Sequence, residues 1–140
     1  MPRENFSFND ANILVGGDLA LDTYGHSAIS RISPEAPVAV SNFQKAEHRL
    51  AGAAQVAAMA RLLGGNVELL SVVGAGEIAD TKNIANELTN LLDTYGVAST
   101  LLPIADKTSN SIRIVSQAQQ LLKVEEQAQC IESNKLCELY

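Results

Sequence analysis

The feature of this sequence that most constrains its fold is an alternation of short apolar runs with segments of helical periodicity. Apolar runs of the length of buried strands cover residues 12–17, 67–73 and 97–104, and glycines or an Ala-Asp pair close them. Between these runs, residues 51–63 are apolar almost all the way round, which is typical of a helix enclosed between layers. Residues 78–95 have apolar positions at helical spacing. This order of elements predicts an α/β fold with a parallel sheet.

Two further segments do not follow this order and predict a separate β layer. Residues 23–43 contain isolated apolar positions and two prolines, which indicates short strands and turns that are partly exposed. Residues 111–124 are rich in β-forming side chains and are interrupted by the polar stretch 117–120, which predicts a hairpin. Residues 1–11 are predicted to be a loose leader. The length of 140 residues is that of one domain.

The charge of the chain argues against two classes of partner. The chain has ten lysines and arginines and sixteen aspartates and glutamates, so its net charge is −6. Such a surface repels phosphate backbones and anionic lipids, and neither nucleic acid nor membrane is expected to bind. The net charge does not exclude binding of a small phosphorylated ligand, because local donors and helix N-termini can outweigh a distant net charge.

The ends of the chain and its metal-binding residue types predict a cytoplasmic protein without a metal site. No run of about 18 apolar residues is present, and no apolar segment follows the polar start, so neither a spanning helix nor a secretory signal is expected. Cys130 and Cys137 are then predicted to be reduced thiols. His26 and His48 have no metal-ligand spacing to these cysteines.

Three motifs carry a resemblance to a known family. They are Gly17-Asp18-Leu19-Ala20-Leu21-Asp22-Thr23-Tyr24 with Ser30-Arg31-Ile32-Ser33-Pro34-Glu35-Ala36-Pro37-Val38; Ala51-Gly52-Ala53-Ala54-Gln55-Val56-Ala57 with Gly64 and Gly74; and Ile112-Arg113-Ile114-Val115-Ser116 with Gln119-Gln120-Leu121-Leu122. Through them the chain resembles the N-terminal part of the PfkB-type, ribokinase-like carbohydrate kinases. Within that family it is most similar to the kinases of heptose 7-phosphate, which act in the synthesis of ADP-heptose, a precursor of the lipopolysaccharide core.

The resemblance implies a fold: the N-terminal part of a ribokinase-like three-layer sandwich with a small β lid. The sandwich core is expected at residues 12–22 and 44–106. The lid strands are expected at residues 23–43 and 107–126.

The resemblance also implies substrate-binding residues. Asp22 would accept hydrogen bonds from two sugar hydroxyls, whereas without the family a loop or N-cap aspartate would be the simpler interpretation. Gly52 would contact the sugar and let the lid move, and close packing of helix on sheet is the alternative. Gln55 stands where the family has an Asn that binds a sugar hydroxyl. As a polar residue on an apolar helix it would otherwise need another partner.

Two arginines complete the predicted substrate site. Arg31 could hold a substrate phosphate through its planar guanidinium, or form an ion pair with Glu35 four residues on. Arg113 lies in the third motif and is assigned to substrate binding by the resemblance.

Departures from the family pattern leave two functional classes open. Neutral residues, namely Thr23, Asn110-Ser111 and Gln117, replace the groups that the family has near a phosphate. The sequence stops at Tyr140, before the family's Gly-Ala-Gly-Asp block, so no catalytic residue is predicted, and the ATP and Mg²⁺ that the family implies would have their site outside this chain. The chain is either the substrate-binding and lid portion of a heptose phosphate kinase, or a degenerate relative that binds a sugar phosphate or a protein. A homo-oligomer, formed through the lid or an exposed sheet edge, is expected.

One rival motif is present. Residues 74–79 fit the pattern G-x-G-x-x-A after a predicted strand, which favours a dinucleotide site. The acidic residue at position 77 would face the pyrophosphate, and no acidic residue ends the next predicted strand at the usual distance, so this reading is the weaker one.

Overall fold

The computed structural model describes residues 8, 9, 11–75 and 79–129. Seven strands and two helices lie in this part of the chain: β1 Asn12–Gly16, β2 Leu19–Ile32, β3 Ala39–Gly52, α1 Ala53–Leu62, β4 Asn66–Gly74, α2 Ala79–Tyr95, β5 Ala98–Ala105, β6 Asn110–Ser116 and β7 Gln119–Glu126. The predicted order of the three apolar strands and two helices is confirmed, with shifts of one or two residues at most ends.

The first sheet is parallel and has the order β1-β4-β5. Side chains alternate along β4, so that Val67, Leu69 and Val73 are buried on one face. The buried side of α1 and Leu88 and Leu92 of α2 join these residues in one hydrophobic cluster. The core therefore lies between this face of the sheet and the two helices, and the predicted α/β class is confirmed.

No element in the described part of the chain covers the opposite face of this sheet. Leu14 on that face is 67% exposed. Helix α1 is likewise buried on only one side, through Ala54, Ala57 and Ala58, whereas its other side exposes large side chains: Val56, Met59, Leu62 and, just after the helix, Leu63. The expectation that this helix is enclosed on every side is wrong for the described residues, because its outer side meets no second layer there.

The second sheet has the order β3-β2-β6-β7. Strands β2 and β3 form an antiparallel hairpin that stays paired from Leu19 opposite Gly52 to Ile32 opposite Ala39. The expectation of short strands in 23–43 is therefore wrong, because this pairing joins the segment to residues on both sides of it. The sheet takes in residues 19–22 and 44–52 as well, which lie beyond the ranges expected for lid strands.

Strand β6 runs parallel to β2 and antiparallel to β7. The predicted hairpin is confirmed, with Gln117 and Ala118 at its turn. Both have positive φ, 47° and 65°, the left-handed conformation that a tight two-residue hairpin turn requires. Strand β6 pairs with β2 only over Leu21–His26. Residues 27–43 of the long hairpin therefore extend beyond it as a two-stranded projection, which we call the arm.

Two side chains that follow β5 hold the segment after β7 by hydrogen bonds and so connect the second sheet to the first. The Oδ1 atom of Asp106 accepts hydrogen bonds from the backbone N–H groups of Lys107 and Gln129, at 2.8 and 2.6 Å. The Oγ atom of Ser109 accepts one from the N–H of Ala128 at 2.9 Å. Bonding to Gln129, with a smaller contribution from Lys107, lowers the pKa of the Asp106 carboxyl. These bonds attach the chain after β7 to the edge where the two sheets meet.

We expect this attachment to weaken in acid. A carboxyl whose pKa is lower in the folded than in the unfolded state stabilises the fold above its unfolded pKa, about 4 for aspartate, and loses that contribution as pH falls through the lower folded value. Urea unfolding of wild type and Asp106→Asn should therefore differ at pH 6 and converge once the pH is low enough to protonate the Asp106 carboxyl in the folded state. A difference that stays constant with pH would show that ionised Asp106 has no such role.

Candidate functional site

A groove of about 1120 Å³ lies where the carboxyl ends of β1, β4 and β5 meet the start of the second sheet. Gly16, Ser71 and Ala105 line it from the first sheet, and Ala20 and Asn110 from the second. In open α/β sheets, ligands bind outside the carboxyl ends of the strands. The groove is therefore the candidate ligand site in the described part of the chain.

The shape of the groove next to α1 depends on Gly52, the residue before this helix. Gly52 has φ 61° and ψ −138°, a backbone conformation that residues other than glycine rarely adopt. A Cβ atom there would lie 2.4 Å from the backbone oxygen of Asp18. That oxygen also accepts a 2.8 Å hydrogen bond from the N–H of Ala53. Close packing of the two chain segments thus requires glycine, as the alternative interpretation expected. Gly52 also lines the groove, and its contact with a sugar and its role in lid movement stay predictions.

Asp22 lies inside β2, on the face that continues from the groove. Side chains alternate along a strand, so Asp22 and Tyr24 share the face of Ala20, which lines the groove. The loop or N-cap alternative for Asp22 is wrong, because the hairpin pairing extends through this position. The Oδ2 atom of Asp22 accepts a 3.2 Å hydrogen bond from Nη2 of Arg113, and the two side chains are 17% and 22% exposed.

Arginines stack on Tyr24 next to this ion pair. The guanidinium carbon of Arg49 lies 4.5 Å from the centre of the Tyr24 ring, and that of Arg113 lies 5.6 Å from it. Both distances are within the range of cation–π attraction. The Oε1 atom of Glu47 accepts from Nε and Nη2 of Arg49 at 2.9 and 2.7 Å, and this pairing lowers the pKa of Glu47.

Sequence reasoning missed Tyr24, Arg49 and Glu47 as members of the site. They come together because β2 is paired with β3 and β6 in one register, which places Arg49 opposite Asp22, and both Glu47 and Arg113 opposite Tyr24. The alternation of residues 20, 22, 24 and 26 along one strand could have indicated this face. The register itself was not readable from the sequence.

The remaining predicted residues lie apart from the groove. Arg31 is exposed near the tip of the arm, nine residues and therefore about 30 Å of strand beyond Asp22. No ion pair between Arg31 and Glu35 is present among the described residues. Gln55 is exposed in the first turn of α1 and does not line the groove, so its amide does not need the internal partner that the sequence analysis considered. Asp22, Arg113 and Gly52 thus lie at or next to the groove, and Arg31 and Gln55 do not.

The neutral replacements are also separated by the fold. The side chain of Thr23 points away from the Asp22 face, and its Oγ1 lies 3.0 Å from Nδ1 of His48. Gln117 is at the turn between β6 and β7. Only Asn110 and Ser111 lie beside Asp22, because Ser111 is its direct partner in the parallel pairing.

No group of three or more His, Cys, Asp or Glu side chains that could hold a metal ion occurs in the described part of the chain. Residues 76–78 of the rival glycine motif, like Cys130 and Cys137, lie outside the described residues. None of the described helices is long and apolar enough to cross a membrane.

Known proteins resemble the chain both in sequence and in fold. No family model matches it. It is 40% identical over 119 residues to the bifunctional protein HldE of Halorhodospira halophila, and 42% identical over 126 residues to HldE of Pseudomonas syringae pv. tomato. These alignments take in 84% and 89% of the chain.

Solved structures show the same relationship in three dimensions. A carbohydrate kinase from Agrobacterium tumefaciens matches with a TM-score of 0.61 at 17% identity, over 83% of this chain and 35% of that one. A nucleoside kinase from Methanocaldococcus jannaschii, a member of the ribokinase family, matches with a TM-score of 0.55 at 21% identity, over 84% and 37%. The chain therefore has the fold of the ribokinase-like carbohydrate kinases and is related in sequence to the HldE proteins.

These matches confirm the recognition and the fold class expected from the sequence. The HldE proteins are its homologues, and the chain spans about a quarter of their length, 24% in both alignments. The described elements form a helix layer, a three-stranded parallel sheet and a four-stranded second sheet of this fold.

Proposed function

We propose that the described residues are the substrate-binding edge and lid of an ATP-dependent kinase that phosphorylates a heptose phosphate in ADP-heptose synthesis. The observation that carries this proposal is the placement of Asp22, a half-buried carboxylate on the groove face of the second sheet. The homology to the HldE proteins supports the kinase assignment. The second sheet would act as the lid, because its four strands adjoin one side of the groove.

The carboxylate of Asp22 has the acceptor capacity for this role. Its Oδ2 atom accepts one bond from Arg113, and an ionised carboxylate has about four lone-pair positions in total. Sugar hydroxyls can donate to the remaining positions without breaking the ion pair. Arg113 would hold the carboxylate in one orientation. The face of the Tyr24 ring would in turn hold the guanidinium of Arg113 in place.

The ATP and Mg²⁺ that the family implies would be bound by residues other than those described. Backbone or side-chain donors and a metal site are needed to hold and neutralise the phosphates during transfer. The groove lining contains no lysine or arginine from the described residues. The proposal therefore assigns sugar binding to this part of the molecule and assigns no nucleotide contact to it.

We expect the 140-residue chain to bind heptose weakly, with a Kd on the order of 1 mM, since the groove is open to water. Asp22→Ala should raise the Kd about tenfold or more, because it removes charge-assisted bonds worth about 1.5–3 kcal/mol. Gln55→Ala should leave the Kd unchanged, because Gln55 is exposed and does not line the groove. Calorimetry and NMR titration measure these constants.

Asp93→Ala is the matched control, since Asp93 is an exposed aspartate on α2 away from the groove. It should bind heptose like wild type. Equal affinity of wild type and Asp22→Ala would contradict the assignment of the sugar site.

The second functional class, a relative that binds a protein instead of performing catalysis, has one observation in its favour. Large apolar side chains on the arm are exposed, including Ile32 and Phe43. Protein contacts through the arm are compatible with a sugar site at the groove.

A further inference from the structure

A second cavity, of about 440 Å³, lies on the second sheet beyond the ion pair of Asp22. Tyr24 and His26 line it from β2, and Gln117 lines it from the turn after β6. Side chains at positions 22, 24 and 26 share one face of the strand, so His26 lies on the face of Asp22, about 13 Å of strand farther from the groove. The face that carries the proposed sugar site therefore continues into a cavity lined by a histidine.

The imidazole of His26 has hydrogen-bonding capacity that the fold does not use. Its Nε2 atom is buried and has no hydrogen-bond partner in the described part of the chain. Oε2 of Glu47 lies 3.4 Å from this atom, while Oε1 of the same carboxylate accepts from both Nε and Nη2 of Arg49. A charged imidazole donates from both ring nitrogens, so one nitrogen can face Glu47 while the other donates to a ligand.

Lys45 supplies an unpaired cation next to this histidine. It lies directly opposite His26 in the pairing of β2 with β3, and direct partners of an antiparallel pair share a face. The other cations of this face have anionic partners: Arg49 pairs with Glu47, Arg113 with Asp22 and Lys123 with Glu125. Lys45 is exposed and forms no ion pair with any described residue. Its ammonium group is therefore available to a ligand.

These groups select an anionic ligand. A lysine ammonium only donates, and Nε of Arg113, on the same face, is a further buried donor without a partner among the described residues. Each carboxylate of this face is matched by one of the paired cations, so Lys45 adds a positive charge that nothing on the face compensates. Phosphate oxygens accept strong, charge-assisted hydrogen bonds from such donors. A neutral hydroxyl would gain less, because it carries no charge to attract the ammonium.

We propose that this cavity is an anion pocket in which His26 and Lys45 bind the phosphate group of a phosphorylated sugar. The proposal rests on the proposed sugar site and extends it, because a sugar held at Asp22 can direct a phosphate at the end of its carbon chain along the strand toward His26. The pocket takes the role that the sequence suggested for Arg31, which lies on the arm and lines neither cavity.

The first test titrates the wild-type chain with heptose, heptose 7-phosphate and inorganic phosphate and follows the binding by NMR. Inorganic phosphate should shift the ring resonances of His26. It should leave those of His48 in place, because that ring lies on the opposite face beside Thr23. Heptose 7-phosphate should bind about tenfold more tightly than heptose, the gain expected from charge-assisted bonds. Added salt should reduce this preference, since it screens charge–charge attraction.

Variants test the two residues directly. His26→Gln and Lys45→Gln should each reduce the preference for heptose 7-phosphate over heptose by about 3- to 10-fold. His48→Gln is the matched control for the histidine. Lys107→Gln is the control for the lost charge, because Lys107 precedes β6 and the cavity adjoins the other end of that strand. Both controls should keep the wild-type preference. If Lys107→Gln loses as much as Lys45→Gln, the preference reflects net charge alone and the pocket is refuted.

The pocket and the proposed sugar site fail in different ways. If heptose binds and phosphorylation adds no affinity, the sugar site stands and the anion pocket is wrong. If heptose does not bind, while inorganic phosphate binds in a manner that His26→Gln and Lys45→Gln weaken, the pocket stands and the proposed sugar site falls.

Discussion

Replacing Gly52 by alanine should lower the free energy of unfolding by about 3 kcal/mol or more, among the largest effects expected of a single substitution in this chain. Two costs add at this position. A residue with a side chain is strained at φ 61° and ψ −138°. Its Cβ would also lie 2.4 Å from the oxygen of Asp18, a backbone atom that cannot rotate away as a side chain can. In a chain of this length such a loss lowers Tm by roughly 10 °C.

Gly16→Ala is the matched control for this prediction. Gly16 lines the same groove, but a Cβ there meets no atom within 4 Å and its φ is not positive. Its Tm should stay close to that of wild type. If Gly52→Ala unfolds at the wild-type temperature, the junction between β3 and α1 must adopt another conformation, and the groove as described would be wrong.

The first sheet was predicted well from the sequence because its buried strands are runs of apolar residues. Strands β4 and β5 are apolar runs bounded by turn residues, and the spacing in α2 has the period of a helix. Those signals are local, and they depend on which side chains must leave water. The family resemblance then added Asp22 and Gly52, which the structure places at or next to the groove.

The second sheet was harder to predict because its stability comes from pairing between distant segments. Its strands are mostly polar, so no apolar run indicates that β2 and β3 are 14 residues long. The approach of Arg49 and Arg113 to Tyr24 depends on a register that joins residues 25 and 89 positions apart in the sequence. Position 23 illustrates the limit: it follows Asp22 directly, yet its side chain lies on the other face of the sheet.

The arm should make the chain self-associate, which is the second large effect that we expect. Beyond His26, strand β2 has no β6 partner on one side, and unpaired strand edges promote pairing with other chains. The arm also exposes large apolar side chains: Ile29, Ile32, Val38 and Phe43. We therefore expect a dimer or larger assembly in light scattering at several protein concentrations.

Ile32→Asp should convert this assembly to monomers. Burying one isoleucine contributes about 1.5–3 kcal/mol, and a symmetric dimer loses two such contacts, so its Kd should rise by more than 100-fold. Leu63→Asp is the matched control, because Leu63 is as exposed as Ile32, at 63%, but follows α1 rather than lying on the arm. If Leu63→Asp yields monomers and Ile32→Asp does not, the uncovered side of α1 is the associating surface. A wild-type chain that stays monomeric at every concentration would show instead that the exposed arm is compatible with a self-sufficient domain.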